Sequence, residues 1–139
     1  KTKTILAAES NNTEPTLYDF IFKYLGPIDM LFIGMECDGA PLTWLYGPLL
    51  SKQIKKNYDT SRTLSGSNFE KAWLIAKLSQ CKYAYVYAMG QEPWLGYIMA
   101  LEYTKDSIQI TESDKFIKTC VENNILSERL FGKKEWIIS

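Results

Sequence analysis

Apolar residues in this chain gather in short runs separated by polar turns, and the runs follow two different periods. Thr4 to Ala8, Met30 to Ile33 and Tyr83 to Tyr87 are four- or five-residue runs rich in aliphatic or aromatic β-formers, each closed by a polar turn. Their length and borders predict buried strands. Between the first two, Leu17, Phe20, Ile21, Tyr24 and Leu25 recur at i, i+3, i+4, i+7 and i+8, which predicts an amphipathic helix. Asn12 or Thr13 can cap it, Pro15 suits its first turn, and Gly26 with Pro27 ends it.

Ser67 and Glu70 have the spacing of a capping box, opening a second helix that carries Phe69, Ala72, Trp73 and Ala76 to about Gln80. Trp94, Tyr97, Ile98 and Leu101 predict a third helix, weakened by Gly96. Ile108-Gln109-Ile110 reads as a fourth strand, and Ser113 caps a last helix bearing Phe116, Ile117, Cys120 and Val121. The tail from Ile125 to Ser139 reads as irregular or short helical structure. Strands alternating with helices predict an α/β fold, a mostly parallel sheet of four or more strands with covering helices.

Residues 34–66 have no clean period, and a segment that long in a compact domain usually carries function. Trp44, Leu45, Tyr46, Leu49 and Leu50 are too apolar to leave in water, so the loop is expected to fold back over the sheet. Lys52, Lys55 and Lys56 read first as its solvated face.

Composition narrows the classes. At 139 residues the chain reads as a single domain, 1–139, with room for one core. It starts inside a strand-like run without an initiating Met, as a piece cut from a longer protein would. Net charge is zero, so no global basic field favours nucleic acid, and no apolar run reaches the roughly 20 residues that span a bilayer. Three widely spaced cysteines without a Cys-x-x-Cys pair suit a reducing, cytoplasmic setting, with Cys81 and Cys120 as small core residues. The chain has no histidine, which removes imidazole bases, Ser-His and Cys-His pairs, and every histidine metal site.

In an open parallel sheet, ligands bind at the carboxyl ends of the strands. Those ends carry Glu9 with Asn11 and Asn12, Glu36 with Asp38, Gln91 with Glu92, and Glu112. Carboxylates converging on one rim suit a hard cation or an oxygen-rich iron or manganese centre. Acids and asparagines are also common in turns, so each residue carries a purely structural reading beside the functional one. By position alone Glu36 and Asp38 are the candidate catalytic carboxylates. Trp44, Tyr46, Gln91 and Trp94 are candidates for the wall of a substrate pocket.

A strand ending in an acid, a helix, the strand IDMLFIGM, an irregular loop, the helix SGSNFEKAWLIAKL and the strand YAYVYAMGQEP follow one another here. That layout, over residues 3–122, resembles the C-terminal half of the αββα metallo-β-lactamase fold, in its lactonase-like or oxygenase-linked branches. The resemblance implies a binuclear metal centre of iron, zinc or manganese in the full-length protein, and hydrolase or oxygenase activity. It places Glu9 where the family has a metal-bridging aspartate. Where the family has a later histidine ligand, this chain has Met89-Gly90-Gln91-Glu92, so Glu92 or Gln91 takes that place. The family's His-x-His-x-Asp-His cluster belongs to the other half and is absent, so this chain alone is expected to hold no catalytic centre. The partners implied are a small-molecule substrate and the missing N-terminal half, and an oligomer is allowed. The alternative from another class is a metal-free α/β domain that binds a ligand or protein through the 34–66 loop. A flavodoxin-like carrier or receiver domain has the same alternation of elements, without the acidic pair or phosphate loop such domains use.

Overall fold

The computed structural model describes residues 1–8, 10–36, 43, 47–55, 59, 66–97 and 103–137. Four strands, β1 (Thr4–Ala7), β2 (Met30–Gly34), β3 (Tyr83–Tyr87) and β4 (Leu126–Arg129), form one parallel sheet in the order β1-β2-β3-β4. Helix α1 (Pro15–Leu25) connects the first pair, α2 (Phe69–Ser79) lies between the second pair, and α3 (Ile108–Glu122) between the third. Right-handed crossovers in strictly sequential order put every helix on the same face. Accordingly α1 packs beside α2, and α2 beside α3. A flavodoxin-like arrangement, whose strand order reverses about a central strand, is excluded by this order.

Alternation along the strands separates the two faces. Ile5, Leu31, Ala84 and Ser127 align in one row, and Ala7, Ile33, Val86 and Arg129 in the next; both rows face the helices. Leu31, Ile33 and Val86 are fully buried there with Ile75, Ala76 and Phe116. Burial of each such aliphatic side chain contributes about 1.5–3 kcal/mol. Cys81 and Cys120 join this core as free thiols, and burial pushes the Cys120 thiol up to about 12.

The opposite face carries Leu6, Phe32, Tyr83, Tyr85 and Tyr87, and no helix among the described residues covers it. Phe32 packs against Tyr85 and Tyr87 at ring-centre distances of 5.3 and 5.9 Å. The segment after β4 folds back onto this aromatic row. Leu130 N bonds to Val86 O at 2.8 Å, Lys134 pairs with Glu128 at 2.6 Å, and Trp136 lies 5.5 Å from Phe32 and 5.0 Å from Tyr85.

Several local expectations are corrected. The fourth strand is Leu126–Arg129, not Ile108–Ile110, which opens α3 instead. The tail begins as strand rather than as irregular or helical structure. The cap of α1 is Glu14, whose carboxylate accepts from Thr16 N, and the cap of α2 is Asn68, which accepts from Lys71 N at 3.0 Å. The Ser67 hydroxyl donates instead to the Ser10 carbonyl. In α1 the buried residue is Phe22, while Leu17, Phe20 and Tyr24 are exposed. Trp94 lies in a turn, residues 95–97 form a single 3-10 turn, and residues 98–101 of the expected helix lie outside the described residues.

Candidate functional site at the carboxyl rim of the sheet

The carboxyl ends of β1 and β2 meet more closely than side chains allow. A Cβ on Gly34 would sit 1.8 Å from the Ala8 carbonyl oxygen, so only glycine lets the two strand ends close. The 34–66 loop returns to the same place. Gly66, at φ +83°, lies against Glu36 N and Gly34 O, and Ser67 N bonds to Gly34 O at 3.1 Å. Glu36 therefore stands half-buried where the loop both leaves and re-enters the rim.

Beside it, the turn after β1 is held residue by residue. Ser67 Oγ donates to the Ser10 carbonyl, and the Ser10 hydroxyl bonds to the Tyr18 hydroxyl of α1. Lys71 Nζ donates to Asn11 Oδ1, and Asn12 Nδ2 donates to the Lys71 carbonyl at 3.3 Å. Asn11 and Asn12 are each only 7% exposed, which sets this turn apart from a solvated one. Asn12 adopts φ +43°, a left-handed conformation that asparagine tolerates better than most residues.

Glu112 was expected after a strand but belongs to the second turn of α3. It still serves this rim, since its carboxylate accepts from Phe69 N at 2.9 Å and pairs with Lys115 at 2.7 Å. Burial raises the Glu112 pKa, yet the bonds from Lys115 and from Phe69 N–H outweigh it and hold the carboxyl below its ordinary value. That carboxylate also sits at the positive end of α2.

Past β3, Glu92 is half-buried at the mouth of a cleft of about 320 Å³ on the open face, shared with Leu6, Phe32, Tyr87, Lys134 and Trp136. Gln91 is half-buried, with its Oε1 enclosed and unpartnered, and Trp94 is 56% exposed. Glu9, Asp38, Trp44 and Tyr46 lie outside the described residues, as does most of the 34–66 loop. The structure thus brings Glu36 near the turn of residues 10–12, while Glu92 lines the cleft on the face of the sheet opposite the helices.

Sequence reasoning missed Lys71, Ser67 and Tyr18 as partners of the turn, because no local spacing links residue 11 to residue 71. It also missed Gln109, which is 1% exposed with both amide atoms unpartnered. Sitting between two isoleucines, Gln109 passed for the polar middle of a strand.

The donors on this rim are carboxylate and amide oxygens, whose chemistry suits iron or manganese. Among the described residues no three His, Cys, Asp or Glu side chains converge as a metal site. The fit is therefore to a share of an oxygen-rich centre, not to a whole one. Among the described residues no helix is long and apolar enough to cross a membrane.

No protein-family model matches the chain. It is 40% identical over 126 residues to a 4-amino-L-phenylalanyl–(CmlP-peptidyl-carrier-protein) 3-hydroxylase of Streptomyces venezuelae, covering 91% of this chain and 24% of that protein. The crystal structure of CmlA, a diiron β-hydroxylase from Streptomyces venezuelae, superposes with a TM-score of 0.71 at 40% identity, covering 88% of this chain and 23% of that one. A point variant of the CmlA β-hydroxylase matches equally well in fold, with a TM-score of 0.71 at 37% identity over 94% of this chain and 24% of its own. The chain spans about a quarter of the length of the relatives it matches. It is thus similar, in sequence and in fold, to a portion of a diiron β-hydroxylase, which supports the metallo-β-lactamase-fold resemblance and is consistent with its oxygenase-linked branch.

Proposed function

We propose that this chain is the C-terminal α/β portion of a metallo-β-lactamase-fold diiron oxygenase, and that the longer protein hydroxylates an aminoacyl group tethered to a carrier protein. The observation that carries the reading is the agreement in both sequence and fold with a diiron β-hydroxylase, each over about nine-tenths of the chain.

In the longer protein Glu9 would help hold the metal pair, and Glu92 or Gln91 would take the place of the missing histidine. The remaining ligands come from outside this chain. When bound, a pair of iron ions supplies the oxidising chemistry that hydroxylation requires. The chain's own residues position and enclose. Gly34 closes the rim beneath the turn, Glu36 and Asp38 would serve as the catalytic carboxylates, and Trp44, Tyr46, Gln91 and Trp94 would form the wall of the substrate pocket. A hydrolase of the same fold needs the same rim, but the similarity to a hydroxylase favours oxygenation.

The test is metal content. The longer native protein, purified without chelator, should carry bound iron, and less than about a tenth of an equivalent of any transition metal would overturn the reading. A Glu9→Ala variant that keeps its full metal would remove Glu9 from the ligand set.

One observation favours a second reading, a metal-free protein-binding domain: the outer side of α1 exposes Leu17, Phe20 and Tyr24. Under it, shortening the 40–50 loop abolishes partner binding and leaves the strand and helix content unchanged.

A further inference from the structure

We propose that the cleft on the open face of the sheet is a binding site for a small organic amine, an ammonium group carried on an apolar body. The groups that make it are described residues of this chain, and the site is independent of the metal reading of the rim. It takes Glu92 for the cleft, which leaves Gln91 as the residue in the histidine's place under that reading.

The walls are rings set at right angles. Phe32 of β2 pairs in register with Tyr85 of β3, so Tyr87 stands diagonal to it on the same face. Tyr87 meets Phe32 at 5.9 Å and 85°, and Trp136 meets it from the tail at 5.5 Å and 86°. Two neighbours nearly perpendicular to one ring make a corner rather than a stack, and all three rings line the cleft. Such a corner suits a cation, because the negative face of an aromatic ring attracts positive charge within about 6 Å of its centre, indole most strongly. The corner is also fixed in advance. Trp136 is held by its hydrogen bond to Tyr85 at 2.9 Å, and Leu130 N, at the start of the tail, bonds to Val86 O at 2.8 Å. Binding therefore orders little that is not already ordered.

Charge selects the ligand. Among the described residues lining the cleft, Glu92 and Lys134 are the charged ones. The Lys134 ammonium lies 2.6 Å from the Glu128 carboxylate, which neutralises it. Glu92 is half-buried and has no ion-pair partner among the described residues. A carboxylate partly out of water beside aromatic faces attracts a cation and repels an anion. Leu6, exposed on the same face, offers an aliphatic wall to the body of the ligand. The volume of about 320 Å³ stands at the small end of ligand pockets, which run from about 300 to 1,000 Å³. One compact amine fits that space, and a nucleotide-sized cofactor does not.

The experiment titrates this chain with phenethylammonium, and with phenethyl alcohol as its uncharged counterpart, while following the indole N–H signal of Trp136 by NMR. Phenethylammonium should shift that signal with an affinity in the millimolar range, as expected of so small a ligand. The alcohol should bind about threefold more weakly or worse. Glu92→Gln should weaken the amine by about three- to tenfold and leave the alcohol unchanged, and Glu92→Asp, which keeps the charge, should recover part of the loss. Lys134→Met removes a cation from the lining and should tighten the amine. The same order of affinities is expected in the longer native protein. Equal affinity for amine and alcohol, or an unchanged amine affinity in Glu92→Gln, would overturn the assignment. So would the absence of any shift at Trp136, or loss of amine binding in the longer protein. None of these results alters the metal content expected of that protein, and a metal-free protein would leave the amine titration as predicted.

Discussion

The indole Nε1 of Trp136 donates a hydrogen bond to the phenol oxygen of Tyr85 at 2.9 Å. The two residues are far apart in sequence, and the contact folds the tail back over the open face of the sheet. With Phe32 it makes a three-ring cluster, leaving Tyr85 only 5% exposed. Trp136→Phe should keep the packing and lose the hydrogen bond, for about 0.5–1.5 kcal/mol. Trp136→Ala should lose both and cost more, about 1–3 kcal/mol. Urea denaturation of the two variants against the wild type measures the difference, and equal stabilities would show that the tail contributes nothing to this face.

Gly34 faces the Ala8 carbonyl so closely that any side chain forces backbone to move. Gly34→Ala should destabilise the chain by about 2–4 kcal/mol, at the upper end of overpacking costs. Far-UV circular dichroism on heating reads it as a lowered midpoint. A midpoint within one degree of the wild type would mean that the strand ends do not meet as described.

Glu112 gives a pH dependence of known sign. Its folded pKa lies below the ordinary carboxylate value, so it stabilises the fold fully above the unfolded pKa of about 4.3. That contribution is lost as pH falls through the folded value. Stability should therefore drop on acidification below about pH 4.3, and Glu112→Gln should flatten that part of the profile. Chemical denaturation at a series of pH values compares the slopes, and identical slopes would remove Glu112 from the account.

How legible the molecule was in its sequence depends on how local each cause is. Strands β1, β2 and β3 and helices α1 and α2 follow from runs and periods contained within a few residues. Strand β4 was hidden because Leu126-Ser127-Glu128-Arg129 is an edge strand whose polar residues are satisfied by ion pairs, Glu128 with Lys134 and Arg129 with Asp114. Its helix α3 was misplaced because the buried face is Gln109, Ser113, Phe116 and Cys120, two of them polar, which blurs the apolar period. In α1 most of the apolar stripe, Leu17, Phe20, Tyr24 and Leu25, faces outward and only Ile21 reaches the core, and no period can say which side of a helix meets the sheet. At the site, the acids of the rim were readable as strand-end residues. The tie between Lys71 and Asn11 was not, since it exists only once α2 is laid beside the end of β1.

The central claim is that the carboxyl rim of this sheet contributes oxygen ligands to a pair of iron ions in the longer protein. Anomalous diffraction at the iron edge, on crystals of that protein prepared without chelator, tests it most directly. The account predicts iron at this rim, within bonding reach of the Glu9 carboxylate. Iron bound away from this rim, or a fully loaded centre with Glu9 out of bonding reach, would contradict it.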